Sequence, residues 1–214
     1  MMGKHLARGG FCAGIDYLLP ILDALTIKIG PPSAIRLLST DSFCAGIDYL
    51  LPILDSLTIK VGSKSAIRLL ASNSFCANIS IVLPVLDILI GKLDKDTAVS
   101  ILASCSFCVR IDTLLPAVIE LQPRFGNKGL KAMFGSDCIP SMSDPEWLKF
   151  MLFCDKADVK NVIAYMNKQS VVAKCKKLGW DVCLPVYENA SKKQRTQLGF
   201  LDLLKAYEVA NIVV

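Results

Sequence analysis

Four cysteines recur at a fixed interval, Cys12, Cys44, Cys76 and Cys108, each 32 residues after the last. Thiols so placed could bind a metal, form disulfides or carry redox chemistry. A metal needs several converging ligands, and His5 is the only histidine. A disulfide wants its Cα atoms within about 7 Å, whereas packed helices lie about 8–10 Å apart. Cys105-Ser-Phe-Cys108 is a single CxxC, without the second pair of a zinc site or the βαβ setting of a thioredoxin-like one. Small buried thiols packed like Ala are therefore expected, with no metal and no cofactor. The nine cysteines are an odd number without an extracellular context, which predicts reduced thiols in an intracellular, cytoplasmic chain and leaves an organelle open.

Charged residues recur in the same way. Lys28, Lys60, Lys92 and Arg124 form a cationic ladder. Asp16, Asp48 and Asp112 form one acidic series, and Asp23, Asp55 and Asp87 another. The cations can track phosphates or complement the C-terminal dipoles of helices. Residues 11–138 carry 11 cationic and 11 acidic side chains, so the repeated region is neutral. The net charge of +5 comes from residues 1–10 and 139–214. Two local basic clusters, Lys174/Lys176/Lys177 and Lys192/Lys193/Arg195, read as solvated faces, with phosphate or acidic surfaces as the alternative. No Ser/His/Asp set, phosphate loop or carboxylate–metal motif is present, and no small-molecule substrate is evident. With one His, much acid–base enzymology is excluded.

The elements that position these residues are repeats. FCAGIDYLLP stands at 11–20 and again at 43–52, and continues as FCANISIVLP at 75–84 and FCVRIDTLLP at 107–116. Residues 11–42 and 43–74 are identical at 25 of 32 positions. A fixed period of this size marks stacked supersecondary units. Asp16, Pro20, Asp23 and Thr26 fall on one helical stripe, and nearly all else in 11–30 is apolar. That pattern predicts a long helix flanked by neighbours, with helices over 13–29, 45–61 and 77–93. Gly30 and Gly62 suit its C-terminal cap. A short helix follows at 33–40 with Ser33 as N-cap. Pro20, Pro52, Pro84 and Pro116 either bend the long helix or start a new one at Pro, and the unbroken stripe favours a bend. Phe11, Phe43, Phe75 and Phe107 are expected as core ladders, as are Leu19, Leu51, Leu83 and Leu115.

The expected fold is all-α, an α-solenoid of helix pairs. Residues 1–10 are a truncated leading repeat, and 11–42, 43–74, 75–106 and 107–138 are four full units. Residues 139–214 are degenerate repeats and a helical cap, because a terminal repeat has one face to water. Within them, SMSDPEWLKFMLF reads as a helix with Asp144 as N-cap and Pro145 at N1. KADVKNVIAYMNK and SKKQRTQLGFLDLLKAYEVA read as two more. Apolar residues make up 53% of the chain, yet no run of about 18 uncharged apolar residues exists, so no membrane span is expected.

LASNS (70–74) before a helix containing VLPVL (82–86) resembles the DNA-binding repeats of TAL effectors. Those are two-helix units with a Pro in the second helix and a variable residue pair in the loop. The resemblance implies pairs at Asp41-Ser42, Asn73-Ser74, Cys105-Ser106 and Asp137-Cys138. Ser42, Ser74, Ser106 and Cys138 would then approach bases. The family's Gly-Gly-Lys-Gln after the pair is Phe-Cys-Ala-Gly or similar here, and the Pro stands about one turn earlier. Two functions are thus expected. The first is a scaffold that binds another protein, or its own kind, along an acidic band of Asp16, Asp23, Asp48, Asp55 and Asp87. The second is a nucleic-acid binder that uses the loop pairs with Lys28, Lys60, Lys92 and Arg124.

Overall fold

The computed structural model describes residues 15–135 and 142–212. Among them there are fifteen helices and no strand, so the protein is all-α. Two compact units divide the chain, one ending at Ile111 and the other starting at Asp112.

In the first unit, helices of three lengths follow in a constant order. Long helices are α1 (Ile15–Ile29), α4 (Ile47–Val61) and α7 (Ile79–Lys92). Eight-residue helices are α2 (Pro31–Leu38), α5 (Ser63–Leu70) and α8 (Lys95–Leu102). Five-residue helices are α3 (Asp41–Ala45), α6 (Asn73–Ala77) and α9 (Cys105–Val109). Helices of one length pack in a row: α3 on α6 on α9, and α2 on α5 on α8. Phe43, Phe75 and Phe107, one on each five-residue helix, are wholly buried; Phe11 lies outside the described residues.

Glycine makes the turn between long and eight-residue helices. Gly30 (φ 80°, ψ 155°) and Gly62 (φ 86°, ψ 153°) adopt backbone that is essentially closed to other residues. Asp94 replaces this glycine one unit on. It is extended instead, and its carboxylate caps α8 by accepting from the Thr97 N–H at 2.8 Å.

Several expectations change. The stretch read as one long helix is divided at Gly46, Asn78 and Arg110, which close α3, α6 and α9. Gly and Asn are weak helix formers, and the Asn78 side chain donates to the Ser74 carbonyl at 2.9 Å, drawing it out of the helix ladder. The prolines start no helix, because Pro20, Pro52 and Pro84 stand inside α1, α4 and α7. Each faces solvent, so water can reach the carbonyl four residues earlier that proline leaves without a donor.

The leucine ladder also shifts by one position. Leu18, Leu50, Val82 and Leu114 are buried, whereas Leu19 is 46% exposed and Leu51, Leu83 and Leu115 are half-buried. Position 50 continues the buried spacing of Ile47, Leu54 and Leu57 along α4, and its neighbour lies about 100° round the helix. Gly30, not Ser33, precedes the first short helix, with Pro31 at its first position.

The thiols do more than fill space. Cys44, Cys76 and Cys108 donate S–H hydrogen bonds to the carbonyls of Leu38, Leu70 and Leu102 at 3.0, 3.1 and 3.0 Å. These residues end α2, α5 and α8, where carbonyls lack intrahelical donors. Burial pushes Cys76 and Cys108 up to about 12. Cys12 lies outside the described residues.

In the second unit, α10 (Ile111–Phe134, whose first residue closes the first unit) contains a kink at Gly126, with φ 62° and ψ 178°. Then come α11 (Asp144–Lys156), α12 (Val159–Met166), α13 (Gln169–Leu178), α14 (Trp180–Asn189) and α15 (Gln197–Ile212). Ser143, not Asp144, caps α11 and forms a capping box with Glu146. The core is aromatic. Phe150 meets Trp180 edge-on at 4.8 Å, Tyr165 stacks on Phe200 at 4.9 Å, and Phe153 touches both Trp180 and Tyr187.

Candidate interaction surface

The long helices α1, α4 and α7 bury one face, and their opposite faces meet solvent. The Asp three residues after each Pro lies on that outward face, as does the Ile seven residues after Pro20 and Pro52; seven residues after Pro84 stands Gly91. The face presents Pro20 and Ile27 on α1, Tyr49, Pro52 and Ile59 on α4, and Ile81, Pro84 and Ile88 on α7. Ile27 is 89% exposed and Ile59, one period later, 85%. Large aliphatic side chains are rarely displayed so fully at equivalent positions, whereas single exposed ones are ordinary.

Charges flank this stripe and join neighbouring helices. Lys28 pairs with Asp55, and Lys60 pairs with both oxygens of Asp87 at 2.6 and 2.7 Å. Asp55 and Asp87 therefore do not form a like-charged band, because the preceding unit supplies a cation to each. Asp23 is exposed on α1 without an ion-pair partner among the described residues. Asp16 and Asp48 stand in the first turns of α1 and α4.

The residues implied for nucleic acid are spread differently. Asp41, Asn73 and Cys105 open α3, α6 and α9 and are exposed. The second members face inward: Ser42 and Ser74 are half-buried and Ser106 is buried. Adjacent pairs bond to each other. The Ser42 N–H donates to Asn73 Oδ1 at 3.1 Å, and Ser74 Oγ lies 2.7 Å from Cys105 Sγ. Asp137 and Cys138 lie outside the described residues. Of the cationic ladder, Lys28 and Lys60 are paired as above. In the second unit Arg124 holds the Asp155 carboxylate at 2.8 Å and the Ala157 carbonyl at 2.8 Å. Lys92 is exposed at the end of α7.

No group of three or more His, Cys, Asp or Glu among the described residues could hold a metal ion, and no described helix is long and apolar enough to cross a membrane. The exposed isoleucines went unnoticed in the sequence because the apolar positions of 11–30 read as uniformly covered. For Ile27 and Ile59 the offset of seven from the preceding Pro, nearly two full turns, was the available signal. Comparison with known proteins returns no family model, no curated protein and no solved structure that matches the chain.

Proposed function

We propose that this protein is a non-enzymatic helical-repeat scaffold, an α-solenoid, that binds protein through the outward faces of α1, α4 and α7. The occupant is a second copy of the chain. One observation carries the reading: fully displayed isoleucines recur at Ile27 and Ile59 while the charges beside them are closed into Lys28–Asp55 and Lys60–Asp87 pairs. Such a surface offers apolar area and little net field. Residues 15–111 carry eight cationic and eight acidic side chains, so two copies of this region do not repel. A stripe that is the same on both partners suits a two-fold, self-complementary contact. Docking by an acidic band loses support because two of its five carboxylates, Asp55 and Asp87, are paired within the chain.

The DNA-binding alternative is supported less well. Ser106 is buried, and Lys28, Lys60 and Arg124 are engaged by carboxylates. A groove that tracks phosphates would keep such cations for its ligand.

Sedimentation velocity of the full chain over a range of concentrations tests the proposal. The expected result is a monomer–dimer equilibrium that persists in about 1 M salt, where the screening length is about 3 Å. Ile27→Asp/Ile59→Asp should be monomeric with an unchanged thermal transition, since both side chains are exposed. A native chain that stays monomeric at every concentration overturns the reading.

A further inference from the structure

Several cations of the second unit meet carboxylates. Arg124 meets Asp155, Lys149 meets Asp181 at 3.1 Å, and Lys174 and Lys177 both meet Glu208. Three others lie together. Lys160, Lys192 and Arg195 line an open cavity of about 850 Å³ between the start of α12 and residues 190–197. None of the three is ion-paired among the described residues. The one carboxylate in the lining, Asp158, is occupied as the N-cap of α12, accepting from the Lys160 N–H at 3.1 Å.

Arg195 is fixed by neutral groups. Its Nε donates to the carbonyls of Tyr187 and Ala190 at 3.0 and 3.1 Å, and its Nη2 to that of Glu188 at 2.8 Å. Its Cζ sits 4.9 Å from the centre of the Tyr187 ring. Carbonyls and a ring hold the guanidinium in place without cancelling its charge, so the positive potential is preorganised. The cavity wall is held too, because Asn161 donates to the Tyr187 hydroxyl at 2.9 Å and Gln197 to the Ala164 carbonyl at 2.7 Å. Lys160 and Lys192 are exposed, and as flexible point charges they can turn toward a ligand.

The lining has no aromatic side chain and its apolar residues are only alanines. A nucleobase or an acyl chain finds no platform there, and the volume exceeds one small anion. We propose that this groove binds a molecule bearing several clustered phosphates, as a free oligophosphate or as a phosphorylated lipid headgroup. Lys160 and Lys192 clasp the outer phosphates, and the fixed charge of Arg195 draws the ligand inward. This site uses the Lys192–Arg195 cluster that the repeats leave without a role.

Calorimetric titration of the full chain with sodium tripolyphosphate is the direct test. Flotation with phosphatidylcholine vesicles, with and without phosphatidylinositol bisphosphate, forms the second arm. Saturable one-site binding is expected in at least one arm, weakened on the order of tenfold or more by Lys160→Ala/Lys192→Ala. Lys95→Ala, at an exposed lysine of the first unit, should leave it unchanged. Binding to tripolyphosphate assigns a free ligand, and binding only to the bisphosphate vesicles assigns the headgroup. Equal binding by the native chain and the double variant, or no saturable binding in either arm, overturns the proposal.

Discussion

The two compact units use helices of similar kind and hold them in different ways. In the first, the same contact is made again and again. Phe43, Phe75 and Phe107 occupy equivalent buried places, and three thiols bond to three equivalent carbonyls. In the second, nothing is copied so closely, and seven aromatic rings from α11, α12, α14 and α15 interlock around Phe153 and Tyr165. Repetition lets small aliphatic contacts suffice, because every neighbour contributes the same one. Where repetition fades, large rings supply more buried area per residue.

The comparison breaks most forcefully at the rings. Phe43→Ala and Phe75→Ala should each cost about 3–5 kcal/mol in chemical denaturation. Their losses should agree closely, because their surroundings are copies. Trp180→Ala should cost about as much, and the transition of the second unit alone should shift. If Phe43→Ala and Phe75→Ala differ several-fold, the first unit is not built of equivalent contacts.

Alkali gives the next effect. Burial holds Cys76 and Cys108 up to about 12, and pushes Cys154 well above its ordinary value of 9.0. The unfolded chain loses these protons first, so above pH 9 it binds fewer protons than the folded chain. Stability therefore falls as pH rises from 9 toward about 12, by about 1.4 kcal/mol per pH unit for each thiol. Urea midpoints measured across that range should decline, and less steeply in Cys76→Ala. A flat profile would mean that the thiols ionise freely in the folded state.

The smallest effect belongs to the ion pairs. A double-mutant cycle on Lys60→Met and Asp87→Asn should give a coupling of about 0.2–1 kcal/mol, reduced by salt, as both side chains are largely exposed. A coupling well above that range would make the pairs a main tie between successive units.

Much of the helical content was legible because the 32-residue period and the stripe through Asp16, Pro20 and Asp23 are local signals. The glycine turns were legible too, since Gly30 and Gly62 end each apolar run. Phase within a Leu-Leu pair was not. Leu50 and Leu51 are chemically identical, and only the phase of α4, which buries Ile47, Leu50, Leu54 and Leu57 together, decides which is covered. Pairing between units was equally hidden. Lys28 and Asp55 lie 27 residues apart, and the row that brings them together exists only in the fold. For the same reason the acidic series looked like a band until Asp55 and Asp87 were seen beside Lys28 and Lys60. The groove at Arg195 left only a trace in the sequence, a basic cluster without its acids. The aromatic residues of 139–214 carry no period that would announce a shared core.

Three hydrogen bonds between successive repeats of the first region span nearly one period. Ser42 reaches Asn73, Ser74 reaches Cys105, and Arg68 reaches Ser100 at 3.1 Å, each 31 or 32 residues along the chain. A gene that loses or duplicates one such segment by unequal exchange would rejoin the chain at equivalent positions of the 32-residue period. The near identity of 11–42 and 43–74 is the mark expected of a recent duplication of this sort. The number of such segments is thus a property that heredity can change in whole steps of 32 residues.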